Sequence, residues 1–248
     1  MSSVADATGK FADRIVELLD IFDLSFFVSG AAGLGALIAA TRLFGGPLPP
    51  AVTRIFDVDG PELGASMLFV GVVASYAVGL GCFAAGRVAR ARIHPENSAT
   101  LMKRAIKHHR VGDVLDLAPY LEPGDDQDAR LGSLYNRLWV HVRTIGELSA
   151  AFALVKRYWV LAATFDGLGV ALLLWLWPLL GGLVMGGGLS GPVVAGLSVT
   201  LVVSALLCWR QAAEYRRYQV DELVATVVHW HALKSDAADK AASHAPGT

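Results

Sequence analysis

The longest uncharged stretch of the chain runs for 43 residues, from Gly167 to Trp209. At about 1.5 Å per helical residue that is about 65 Å of helix, twice the hydrocarbon thickness of a bilayer. No soluble domain accommodates such a run as one element, and one membrane span does not need it. The run must fold back on itself. Its turn is written in Gly186-Gly187-Gly188-Leu189-Ser190-Gly191-Pro192: glycines end one helix, and proline suits the first turn of the next.

Two further runs have the length of a span. Leu24 to Thr41 is uncharged and bounded by Asp23 and Arg42, and Leu63 to Gly86 is uncharged and bounded by Glu62 and Arg87. Composition agrees, with 54% hydrophobic residues, 17% charged residues and a mean hydropathy of +0.48. The expected fold is an all-α integral membrane protein with four transmembrane helices near 23–44, 64–87, 158–181 and 191–210. Spans 3 and 4 extend into a cytoplasmic helical stalk.

Orientation follows from the basic residues. Of 21 Lys and Arg, 19 lie on one side of this arrangement and two, Arg42 and Arg54, on the other. The positive-inside rule then places both termini in the cytoplasm of a multi-pass plasma (inner) membrane protein. Tyr158, Trp159 and Trp209 mark the inner interface, and Trp175 and Trp177 the outer one. The first apolar run begins late and is as long as a span, so no cleavable leader is expected.

The chain divides accordingly. Residues 1–22 form a cytoplasmic amphipathic helix, with Phe11, Ile15, Leu18, Leu19 and Phe22 on one face and Asp13, Glu17 and Asp20 opposite. Residues 23–87 are a transmembrane hairpin with an outer loop at 45–63, and 88–157 are a cytoplasmic helical region too polar for a large core of its own. A second hairpin at 158–210, a cytoplasmic helix at 211–234 and a disordered tail at 235–248 complete the order.

Within 88–157, Ser98 is the expected cap of a helix running to about His109, with Leu101, Met102, Ala105 and Ile106 on one side. From Asp126 a heptad pattern begins. Leu131, Leu138, Ile145, Phe152 and Trp159 recur every seven residues, and Leu134, His141, Leu148 and Val155 fill the offset seam. The pattern predicts one rod of about 50 residues entering span 3, a length of about 80 Å. Val220, Leu223, Val227 and Trp230 supply a matching face after span 4. Intramolecular zipping of these seams or assembly of a homo-oligomer both satisfy them. His141 within the seam is a core histidine or a pH-sensitive register residue.

Asp166 is the only charged residue between Arg157 and Arg210, about two turns inside span 3. A carboxylate in lipid costs several kcal/mol, so it must face water, a partner or a pathway. It reaches back to headgroups or Arg157, lines a pore or accepts a proton, or makes an interhelical hydrogen bond. Gly71, Ser75 and Gly79 form a small-residue stripe on span 2, and span 1 adds Ser29, Ala31, Gly33 and Gly35. Such faces let helices approach closely, within one chain or between copies. In the outer loop Asp57, Asp59 and Glu62 would attract cations to a pore mouth.

Several functions are disfavoured. A net charge of -1 gives no nucleic-acid footprint. No nucleophile elbow, zincin helix, phosphate-binding loop or kinase motif is present. His108-His109 and His229/His231 are too close in sequence to share a helical face, so no metal and no cofactor is expected. Cys82 and Cys208 belong on the reducing side as free thiols. The expectation is a non-enzymatic, homo-oligomeric channel or pore-forming effector gated through its cytoplasmic helices, of the kind used in bacterial stress or antiviral defence. The alternatives are a membrane scaffold recruiting a soluble cytoplasmic partner and a small transporter. The lipid bilayer is a partner in each.

Overall fold

In the computed structural model, residues 21–46, 65–113, 127–186, 188 and 190–243 are described. Seven α-helices occur among them: α1 (Ile21–Leu43), α2 (Ala65–Ile93), α3 (Ser98–His108), α4 (Gln127–Thr144), α5 (Ser149–Leu174), α6 (Leu176–Val184) and α7 (Gly191–Ser243). No strand occurs among the described residues. Four stretches are long and apolar enough to cross a membrane: Ser25–Leu43, Phe69–Ile93, Gly146–Val184 and Gly191–Ala237. They overlap the four expected spans. The amphipathic helix expected near the N-terminus (except its last two residues) and the acidic loop of Asp57, Asp59 and Glu62 lie outside the described residues.

The chain forms two compact units, residues 1–93 with 160–213 and residues 94–159 with 214–248. In the first, α1 ends in a left-handed Gly45 (φ 67°), with the Gly46 amide bonded to the Thr41 carbonyl at 2.9 Å and the Gly45 amide to Arg42 at 3.2 Å. This paired closure satisfies carbonyls that the helix end leaves open.

Helices α1 and α2 cross at near backbone contact. A Cβ on Gly30 would collide with the Ser75 carbonyl, and one on Gly79 with the Phe26 carbonyl. Around this crossing Phe26 packs edge-on against Tyr76 and Phe83, with ring centroids 5.9 and 5.2 Å away. The small-residue stripe is thus only partly an interface. Ser75 and Gly79 pack at the crossing and Gly33 rests on Val78 and Cys82, whereas a side chain at Gly71 would meet nothing within 4 Å.

Span 3 is interrupted. Trp175 separates α5 from α6, and Pro178 removes the amide that would have bonded to the Leu174 carbonyl. The Trp175 indole is tied across to the Ala32 carbonyl of α1 at 3.1 Å. The glycine turn is where the sequence places it, with Gly186 and Gly188 at φ 74° and 75° before α7 begins.

The second unit has a core that the composition of 88–157 alone does not suggest. Met102, Leu134, Val142, Val155, Leu223 and Val224 are almost fully buried together. The polar segment acquires this core because residues of α7 complete it. The expected face of Val220, Leu223, Val227 and Trp230 is the one that packs.

Three expectations are corrected here. The heptad seam is not one rod: Ile145 adopts an extended conformation (φ −90°, ψ 112°), and Gly146–Leu148 form a short 3-10 turn between α4 and α5. Leu131, Leu138 and Leu148 are buried as expected and Ile145 and Phe152 are half-buried, but Val142 takes the core place assigned to His141. Gly146 favours a break, and the break lets Leu148 turn inward. Second, the cap of α3 is Asn97, whose side chain accepts from the Thr100 amide at 2.7 Å. Ser98 is the first helical residue, and its hydroxyl accepts from Arg216 at 3.0 Å. Third, α7 is one helix of 53 residues that continues through Ser243, past the expected end at 234. Alanine-rich Ala237–Ala242 favours helix over the tail expected there.

Candidate functional site

Asp166 lies on α5, where four helices of the first unit converge. On α2, Ser75, Gly79, Cys82, Gly86 and Arg90 follow each other at steps of three or four residues, and all are buried. The stripe therefore ends in a charge that faces protein. The Arg90 Nε donates to Asp166 Oδ1 at 2.7 Å, with the two side chains 7% and 2% exposed.

Close approach makes the contact. A Cβ on Gly86 would strike the Asp166 backbone, so only glycine at this position lets α2 and α5 come this near. Gly167 gives room to Ser29 of α1, whose hydroxyl lies 2.7 Å from where a Cβ would stand. That hydroxyl donates to carbonyls of its own helix, Phe26 at 3.2 Å and Ser25 at 3.3 Å. From α7 the buried Trp209 indole donates to the Asp166 carbonyl at 3.4 Å and packs over Gly169. Trp209, assigned to an interfacial belt from sequence, is a core residue of this unit.

The partner of Asp166 is thus neither a headgroup nor Arg157. Arg90 reads in sequence as one of a basic cluster with Arg87 and Arg92, and those two are exposed. The signal that singles it out is helical phase: extending the small stripe of span 2 by whole steps arrives at Gly86 and then Arg90. Two charges in so dry a place stabilise each other through a short charge-assisted bond, and removal of either leaves the other stranded at a cost of about 3–5 kcal/mol.

The second unit holds its own polar arrangements. Arg217 donates twice to Glu96, each bond 2.7 Å, and this contact holds the Glu96 carboxyl below its ordinary value and raises Arg217. His141 stacks on His231 (centroids 6.0 Å, 8°) and meets Trp230 edge-on. Burial first and the His231 charge second push the His141 pKa down. Cys82 and Cys208 are free and buried.

One expectation about the histidines fails. His108 and His109 do not diverge, because α3 ends between them: His109 is the C-cap and Arg110 turns left-handed at φ 48°. Their rings stand 4.8 Å apart, and His109 Nε2 lies 3.1 Å from Asp221 Oδ1.

Comparison with known proteins found no matching family model, no matching curated protein and no matching solved structure.

Proposed function

We propose that the chain is a non-enzymatic, multi-pass plasma (inner) membrane protein that assembles into a homo-oligomeric channel or pore, with both termini in the cytoplasm and its second unit as the sensing stalk. The observation that carries the reading is the buried Arg90–Asp166 pair. Charges inside a membrane are expensive and mark pathways or switches, and a pair that closes four helices around itself is suited to act as the latch of a closed state. Separating the pair would hydrate both groups together and open a polar path beside Asp166. Helices α5 and α7 supply residues to both units, so an event in the stalk reaches the latch through continuous backbone. Val73, Leu80, Val199, Val203 and Leu207 are exposed apolar residues that lipid or another copy would cover.

The test is ion flux from proteoliposomes containing wild-type protein, Asp166→Asn or Arg90→Gln. Each substitution removes one charge; Asp166→Asn keeps side-chain size, and Arg90→Gln shortens the side chain while leaving a polar end. Constitutive flux in the variants above that of the wild type supports a latch. Absence of flux from all three under a range of ionic gradients overturns the pore. The scaffold reading would then take its place, because the second unit has a core of its own. A transporter has less support, since among the described residues no substrate-sized polar site is brought together around Asp166 beyond its pairing with Arg90.

A further inference from the structure

We propose that His108, His109 and Asp221 form a binding site for a divalent transition-metal ion of the zinc class. Two imidazoles and a carboxylate are the donor set that such ions take, and three protein ligands leave a fourth position open. All three donor atoms lie within 4.8 Å of one another. Bonds of about 2.0–2.2 Å to a tetrahedral ion place neighbouring donor atoms about 3.3 Å apart. The His109–Asp221 separation of 3.1 Å is already close to this value. His108 is exposed, and rotation of its side chain would close the remaining distance.

The site is held by buried neighbours on both sides. Asp221 sits on α7 between Val220 and Leu223, both core residues, and Val111 anchors the chain just after the His109 turn. The backbone at that turn is bonded as well, His109 to the Ala105 carbonyl at 3.0 Å and Arg110 to Lys107 at 3.4 Å. Beside the donors lies an open cleft of about 340 Å³, lined among others by Arg104, Glu214 and Tyr218, which gives the ion an entry path and its fourth ligand a place. The cleft also borders Arg217, but that charge is met by Glu96, and Glu214 adds a further carboxylate. A bound ion would join two positions 112 residues apart and clamp α3 to α7 within the second unit. The histidine pair was dismissed from sequence because helical neighbours point apart; the end of α3 is what brings them together.

This site stands apart from the pore reading, because metal binding is measured on the detergent-solubilised protein, where conduction plays no part. The experiment uses the full-length chain without a polyhistidine tag, titrated with Zn²⁺ by calorimetry and with Co²⁺ by absorption. The expected result is one ion per chain and a tetrahedral Co²⁺ spectrum. His109→Gln and Asp221→Asn should each weaken binding by about tenfold or more, at least what loss of an outer-shell partner costs, while His141→Gln leaves it unchanged. Asn at 221 still accepts the hydrogen bond from His109, so the fold persists, as an unchanged far-ultraviolet circular dichroism spectrum would verify. Failure of the wild-type protein to bind stoichiometrically overturns the proposal. So does binding that survives both His109→Gln and Asp221→Asn.

Discussion

Arg90 and Asp166 stand 76 residues apart in the chain and 2.7 Å apart in the fold, both withdrawn from solvent. Neither charge is tolerable there alone. Their pairing explains why α2 carries glycine at Gly86, and why α5 brings its own backbone against it. Arg90→Leu and Asp166→Leu should each lower thermal stability in detergent strongly, by about 3–5 kcal/mol, because each strands a buried charge. The double variant should recover most of the loss. A double-mutant cycle read from unfolding midpoints checks this; additive losses would contradict the pairing.

The glycines of the α1–α2 crossing should separate by position. Gly79→Val places a side chain into the Phe26 backbone and should abolish folded protein. Gly71→Val and Gly81→Val enter open space and should express and fold as wild type. Size-exclusion profiles of the three purified variants decide it.

The cap of α3 gives a local test. Asn97→Ala removes the acceptor of the Thr100 amide and should cost about 1 kcal/mol. Faster hydrogen exchange at Thr100 is the expected signature. Ser98→Ala loses a bond to Arg216 instead, and should leave the Thr100 amide as protected as before.

Stability should fall on acidification in two stages with distinct causes. The folded state depresses the His141 pKa, so the unfolded chain binds the proton first. Stability contributed by neutral His141 is complete above the ordinary histidine range and is lost as pH falls through it. His141→Leu should flatten that stage in a melting-temperature profile between pH 7.5 and 5.5, a window that brackets the ordinary histidine value of about 6.5. The depressed Glu96 carboxyl acts lower, within the carboxylate range, and Glu96→Gln should remove that second stage. Its size is that of a half-exposed pair, about 1 kcal/mol or less.

Features that depend on neighbours along the chain are legible in the residues themselves. An uncharged run twice the bilayer thickness has to turn, glycines and a proline say where, and the turn at Gly186–Gly188 is there. Apolar spacing likewise places Leu101, Met102 and Ala105 on the buried side of α3, and Val220, Leu223 and Val227 on that of α7. These patterns are legible because helical period and span length are local quantities. The same locality misleads at Ile145, where a heptad count continues through a backbone that bends. Contacts across the fold select which charge answers Asp166, which residue of the seam is buried, and that His109 faces Asp221. Each is a contact between distant segments, selected by close packing at glycines or by the exact end of a helix, and a one-dimensional pattern carries no measure of either.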